Sequence, residues 1–213
     1  MKRSCLFVLI LVAVPSLLAL GCDDDGDGTT TVVLYSEPGM DGLVASDGVA
    51  ESAGASATIG DGPEPSLVEP AQYRRAVVSF DLASLPDGVA IVSATLRIHQ
   101  DGETSGAPYG EDGLGDVLVD HVSYTAFSAD LCAPTSTIDA NIGTLATEFV
   151  ADTWHELDVT VAVTDDVGSL QSGRSQYKLY HHDESNHDQS ADTDGWTMGD
   201  SPTNRPELVI TYE

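Results

Sequence analysis

The densest set of reactive groups in the chain is one eight-residue stretch, His181-His182-Asp183-Glu184-Ser185-Asn186-His187-Asp188. Imidazoles and carboxylates packed this closely are zinc-type ligands. No pair stands at a spacing such as H-E-x-x-H, and the stretch leaves an apolar segment where a polar loop is expected anyway. It is read as a solvated loop, with no metal and no cofactor assigned; a structural calcium is left open, without residues. His99, His121 and His155 stand singly on strand-like segments and read as ordinary sheet residues. The 35 Asp and Glu could supply the carboxylate pair of a glycosidase. So many acids produce such pairs by chance, and there is no G-x-S-x-G elbow, P-loop or dinucleotide fingerprint. No enzyme is expected, and no catalytic residue is named.

Aromatic rings offer a different chemistry, stacking on the apolar faces of sugars. Trp154 shares strand parity with Glu156 and Asp158, away from Leu157 and Val159, which predicts an exposed ring. Trp196 lies in Thr193–Asp200, a Gly- and Asp-rich stretch that reads as a loop just after the His-rich one. Tyr180 and His181 close the strand before it. These four residues, Trp196 and Trp154 first, are the candidate ligand contacts. The competing reading is that both tryptophans plug the ends of a core.

These residues need a frame. Short apolar runs alternate with Gly, Asp and Pro punctuation: Thr30–Tyr35, a short run near Ala57–Ile59, Arg74–Leu82, Ser93–His99, Asp116–Phe127, His155–Val163, Gln176–His182 and Pro206–Tyr212. Within them Ala76, Val78 and Phe80 share a face, as do Ala94, Leu96 and Ile98, and Leu157, Val159, Val161 and Val163. Only Asp165–Leu170 invites a helix. The pattern predicts an all-β fold, an antiparallel β-sandwich of jelly-roll type with eight or nine strands and little helix.

The ends and the charge set the setting. Lys2 and Arg3, then the nine-residue apolar run Leu6–Val14, predict a secretory signal, too short to span a bilayer. Leu18-Ala19-Leu20-Gly21-Cys22 is similar to a bacterial lipobox, which implies cleavage before Cys22 and acylation of that residue. The expected organisation is a signal peptide at 1–21, an acidic tether at 22–30 and one β-sandwich domain at 31–213. Within the tether Asp23, Asp25, Asp27 and Gly28 match the start of a calcium loop, but Leu34 stands where its closing Glu belongs. Of three cysteines, Cys5 leaves with the signal, Cys22 takes the lipid, and Cys132 remains alone as a small buried residue or spare thiol. With 8 Lys and Arg against 35 Asp and Glu, the formal charge is −27, which excludes nucleic acid as a partner.

The strand ending Phe80-Asp81-Leu82, the Ser84-Leu85-Pro86 turn, Ser93-Ala94-Thr95-Leu96, Asp158-Val159-Thr160 and the terminal Arg205-Pro206-Glu207-Leu208-Val209-Ile210-Thr211-Tyr212 together resemble the DNRLRE-type domain. That family is related to carbohydrate-binding module family 96 and occurs in exported and surface microbial proteins. The resemblance implies a jelly-roll sandwich and supplies no fixed site motif. The expectation is a lipid-anchored protein of the bacterial outer membrane or cell surface whose non-catalytic domain binds a polysaccharide or cell-surface glycan. With so few Lys and Arg, a neutral or calcium-bridged glycan is favoured over a strongly anionic one. The alternative is a structural or adhesive surface module with no small ligand.

Overall fold

The computed structural model describes residues 28–63, 72–169 and 173–213. The export signal, Cys22 and most of the tether lie outside the described residues. Among these residues are twelve strands, one α-helix and two short 3-10 turns. The strands are β1 (Thr30–Tyr35), β2 (Gly42–Ala45), β3 (Ala50–Glu51), β4 (Ser56–Asp61), β5 (Tyr73–Asp81), β6 (Ile91–Ser105), β7 (Val117–Val122), β8 (Thr137–Ala146), β9 (Thr153–Asp158), β10 (Arg174–His181), β11 (Thr193–Thr197) and β12 (Glu207–Tyr212); the helix α1 is Thr160–Ser169. All pairings are antiparallel, in the order β1-β12-β6-β11-β4-β5-β10-β7-β8, with β2 on β5, β3 on β2 and β9 on β6. The sheet curls on itself as an all-β sandwich, the class expected from the sequence.

Alternation explains the core. Ala76, Val78 and Phe80 of β5, Ala94, Leu96 and Ile98 of β6, and Leu208 and Ile210 of β12 all point inward and are buried. They meet Tyr177 and Leu179 of β10 and Trp196 of β11. The other face of β5, β7 and β10 is covered too. Residues 123–136, which carry the turns Ala129–Cys132 and Pro134–Ser136, fold over it as a flap. Tyr124, Leu131 and Cys132 of the flap pack on Val44, Val77 and Val122 in a second, smaller core.

Several elements differ from the sequence expectation, among them β2 and β3, which lie in a stretch that reads as loose chain. The strand expected over His155–Val163 stops at Asp158, and α1 begins at Thr160 rather than at Asp165. Asp158 Oδ1 accepts both the Thr160 backbone N–H (2.9 Å) and its hydroxyl (2.6 Å), a cap that ends the strand and starts the helix. Val159, Ala162 and Val163 are buried while Val161 is 75% exposed, so the run Val-Thr-Val-Ala-Val carries a helical spacing inside an apparent alternation. β8 was not expected; its exposed middle and shifted pairing with β7 leave no alternating signal. β11 is a strand where the sequence suggests a loop. Its Asp194 and Gly195 look like turn residues, yet the strand is central, between β4 and β6.

Candidate cleft at the ends of β4, β5 and β10

The recorded pairing of β5 with β10 ends at Ala76–Leu179. Just beyond it the two strands line a shallow open cleft with Gly60, Tyr73, Arg74, Arg75, Tyr180, His181, Asp183 and Glu184. The cavity volume is about 10 Å³, room for about one water, far below the roughly 300 Å³ at which enclosed small-molecule sites begin. The recess therefore engulfs no substrate; it offers a surface dimple flanked by side chains.

Arg75 organises it. Its guanidinium carbon lies 4.8 Å from the Tyr73 ring centre and 5.3 Å from that of Tyr180. One nitrogen donates to the Cys132 carbonyl of the flap (2.5 Å) and another to Glu184 Oε1 (2.6 Å). The Tyr180 hydroxyl donates to Asp120 Oδ1 at 2.8 Å, and burial pushes its pKa upward. Arg74 donates weakly to the Thr58 hydroxyl (3.4 Å). Two aromatic rings, a cation and two exposed carboxylates thus converge on one opening.

His181 borders this cleft but is turned into the core, 3% exposed. Nδ1 is 3.0 Å from the Gly115 carbonyl and Nε2 is 3.0 Å from Asp194 Oδ1. Asp194 Oδ2 also accepts from Tyr109 OH (2.6 Å) and Gln100 Nε2 (2.6 Å). The Gln100 carbonyl then meets the Val150 N–H and His155 Nε2. Both nitrogens of His181 are engaged, so this Asp–His pair has no free nitrogen for a nucleophile, a ligand or a metal. Burial lowers the His155 pKa, and burial beside Asp194 raises that of Tyr109.

The remaining expected contacts do not join the cleft. Trp196 is a fully buried residue of β11, with its ring 5.4 Å from that of His155. It plugs the core and is not the loop contact expected. Trp154 is half-buried on the opposite face of β9. Arg97 lies 5.0 Å over its ring and His99 meets its edge. The two tryptophans therefore share no surface. His182 and Asp183 are exposed and 3.1 Å apart; among the described residues no group of three or more His, Cys, Asp or Glu is arranged to hold a metal ion. Sequence reasoning missed Tyr73, Arg74 and Arg75, and singled out Glu184 only within the His-rich loop. A signal existed, because Arg74 and Arg75 are adjacent cations beside a tyrosine in a chain that has very few.

Comparison with known proteins found no family model and no curated protein that matches the chain.

Proposed function

We propose that the protein is an exported, membrane-tethered lipoprotein, acylated at Cys22, whose non-catalytic sandwich of DNRLRE type binds a neutral glycan at the cleft between Tyr73 and Tyr180. The observation that carries this reading is the convergence of two tyrosine rings with Arg74, Asp183 and Glu184 at one solvent-open recess. Carboxylates and guanidinium groups bind sugar hydroxyls in pairs, and the rings supply apolar faces. Charge favours a neutral ligand. Arg75, Arg97, Arg174 and Lys178 already face carboxylates of the protein itself, and Asp183 and Glu184 repel an anionic chain at the opening.

A glycan array on the secreted chain, followed by calorimetry with the best neutral oligosaccharide, tests the reading. Tyr73→Ala and Arg74→Ala are each expected to weaken binding at least about tenfold, Arg74→Ala with little change in unfolding midpoint and Tyr73→Ala with some loss of stability from its packing on the second core. Binding that survives both changes places the glycan elsewhere. The absence of any glycan ligand favours a structural or adhesive surface module, the reading that the burial of Trp196 supports. A fatty-acid probe that labels the wild type and not Cys22→Ala tests the anchor separately.

A further inference from the structure

Lys178 is one of the largest fully buried side chains of the protein, and it projects away from the main core, beneath the flap. Opposite it in register, on β7, stands Asp120. The two side chains are 0% and 7% exposed, and Nζ lies 3.4 Å from Oδ2. Nζ makes only long contacts, 3.4 Å to Oδ2, 3.3 Å to the Thr137 hydroxyl and 3.4 Å to the Ala133 carbonyl of the flap, where a charge-assisted hydrogen bond would close to about 2.7–2.9 Å.

The surroundings of Asp120 are uneven. Oδ1 accepts the Tyr180 hydroxyl at 2.8 Å and the Asn141 backbone N–H at 2.9 Å. Asn141 has a left-handed backbone, φ 49°, in the irregular β7–β8 pairing. Among the described residues Oδ2 faces Nζ and the Thr137 hydroxyl, which is 3.2 Å from Oδ2 and 3.3 Å from Nζ. One oxygen thus sits in a two-donor hole of the kind that holds a developing oxyanion. The other has the amine and a proton-relaying hydroxyl beside it. Burial also pushes the Lys178 ammonium below its ordinary pKa, toward the neutral, nucleophilic amine.

We propose that Lys178 and Asp120 condense into an intramolecular isopeptide bond that staples β10 to β7. A proton passes from the ammonium to Oδ2, giving a neutral amine beside a neutral carboxylic acid. Nζ attacks Cγ, and the negative charge that forms on Oδ1 is held by Tyr180 and Asn141. A second proton moves from nitrogen to Oδ2 through the Thr137 hydroxyl. The Cγ–Oδ2 bond breaks and Oδ2 leaves as water, so ammonium plus carboxylate become amide plus water with no other reactant. The cross-link would do in this chain what a disulfide does elsewhere, since Cys132 is a buried free thiol.

Intact mass spectrometry of the folded wild-type chain is expected to read about 18 Da, one water, below the mass its own termini dictate. Tryptic digestion should then fail to cut after Lys178 and should yield the Asp120 and Lys178 peptides joined. Lys178→Arg and Asp120→Ala should restore the full mass, while Asp120→Asn should reach the same cross-linked product by loss of ammonia. A folded wild type that keeps its full mass after prolonged incubation overturns the proposal, whether or not the variants fold. So does a water loss that maps to an Asp-Gly succinimide instead.

Discussion

At the scale of single residues, two buried side chains carry opposite lessons. Trp196 fills the centre of β11 at 0% exposure, so its removal leaves a large void against His155 and the core strands. Trp196→Ala is expected to cost about 3–5 kcal/mol by chemical denaturation, in line with other buried aromatics. A cost below about 1 kcal/mol would mean that the ring is not a core plug. Asp41 is a charge in the wrong place. Its Oδ2 accepts from the Ser36 hydroxyl (2.8 Å) and the Gly199 N–H (2.6 Å), while Oδ1 is buried with no hydrogen-bond partner. Burial lifts its pKa to about 6, with Asp200 adding to the rise and Arg205 opposing it. Between its ordinary value and 6 the folded state therefore holds the proton more tightly than the unfolded chain. Ionised Asp41 opposes folding above that range, and the penalty fades as pH falls through 6. Asp41→Asn should be more stable than wild type by about 1–3 kcal/mol near pH 8, with the gap closing toward pH ~4. A variant less stable than wild type at pH 8 would show that Arg205 holds Asp41 as an anion.

At the scale of elements, close approach of backbones sets where the cleft opens. Gly60 ends the inward run of β4 with φ 121°, and a Cβ there would stand 2.0 Å from the Asp192 carbonyl. That contact brings the β11 entry against β4, next to the lining formed by Arg74 and Tyr180. Gly60→Ala is expected to destabilise by more than about 2 kcal/mol, since backbone must move and the φ is strained. Gly48 provides the comparison. It also has positive φ, 92°, but nothing lies within 4 Å of its Cβ position, so Gly48→Ala should cost only about 1 kcal/mol of backbone strain. Equal costs for the two in denaturant titrations would show that β4 and the β11 entry are not in contact as described. Gly195 answers the same logic from the other side of β11, where a Cβ would collide with the Asp101 carboxylate. The two glycines let a polar, turn-like sequence be threaded as a central strand.

At the scale of the whole molecule, the two cores open to solvent by different routes. Cys132 lies on the inner side of the flap at 4% exposure, and burial raises its thiol pKa. A neutral, enclosed thiol reacts only when the flap or the whole domain opens. Alkylation in native buffer should run at least about 100-fold slower than in denaturant. Fast native labelling would show the flap lifting from β5, β7 and β10. The denaturant dependence of the slow rate would then tell local opening from global unfolding.

The sequence alone determined the all-β class, an antiparallel arrangement of short strands, and the inward faces of β5, β6 and β12. These rest on local alternation, because a strand buried on one face must repeat every two residues. It also determined the strongly acidic balance, a formal charge of −27. Tertiary structure decided the rest. The flap buries Lys178, Asp120 and Arg75 by covering a sheet face whose residues look like ordinary exposed polar positions. β11 is a strand because His181, Gln100 and Tyr109, 13, 94 and 85 residues away from Asp194, satisfy its buried carboxylate. α1 displaces the expected strand because Asp158 caps it and Val159, Ala162 and Val163 find the core at helical spacing. Tyr73 and Tyr180 face one cleft only because β5 and β10 part beyond Ala76 and Leu179. Each of these outcomes depends on partners distant in the chain, and no local pattern of residue types records which distant group will satisfy a buried charge or cover an open face.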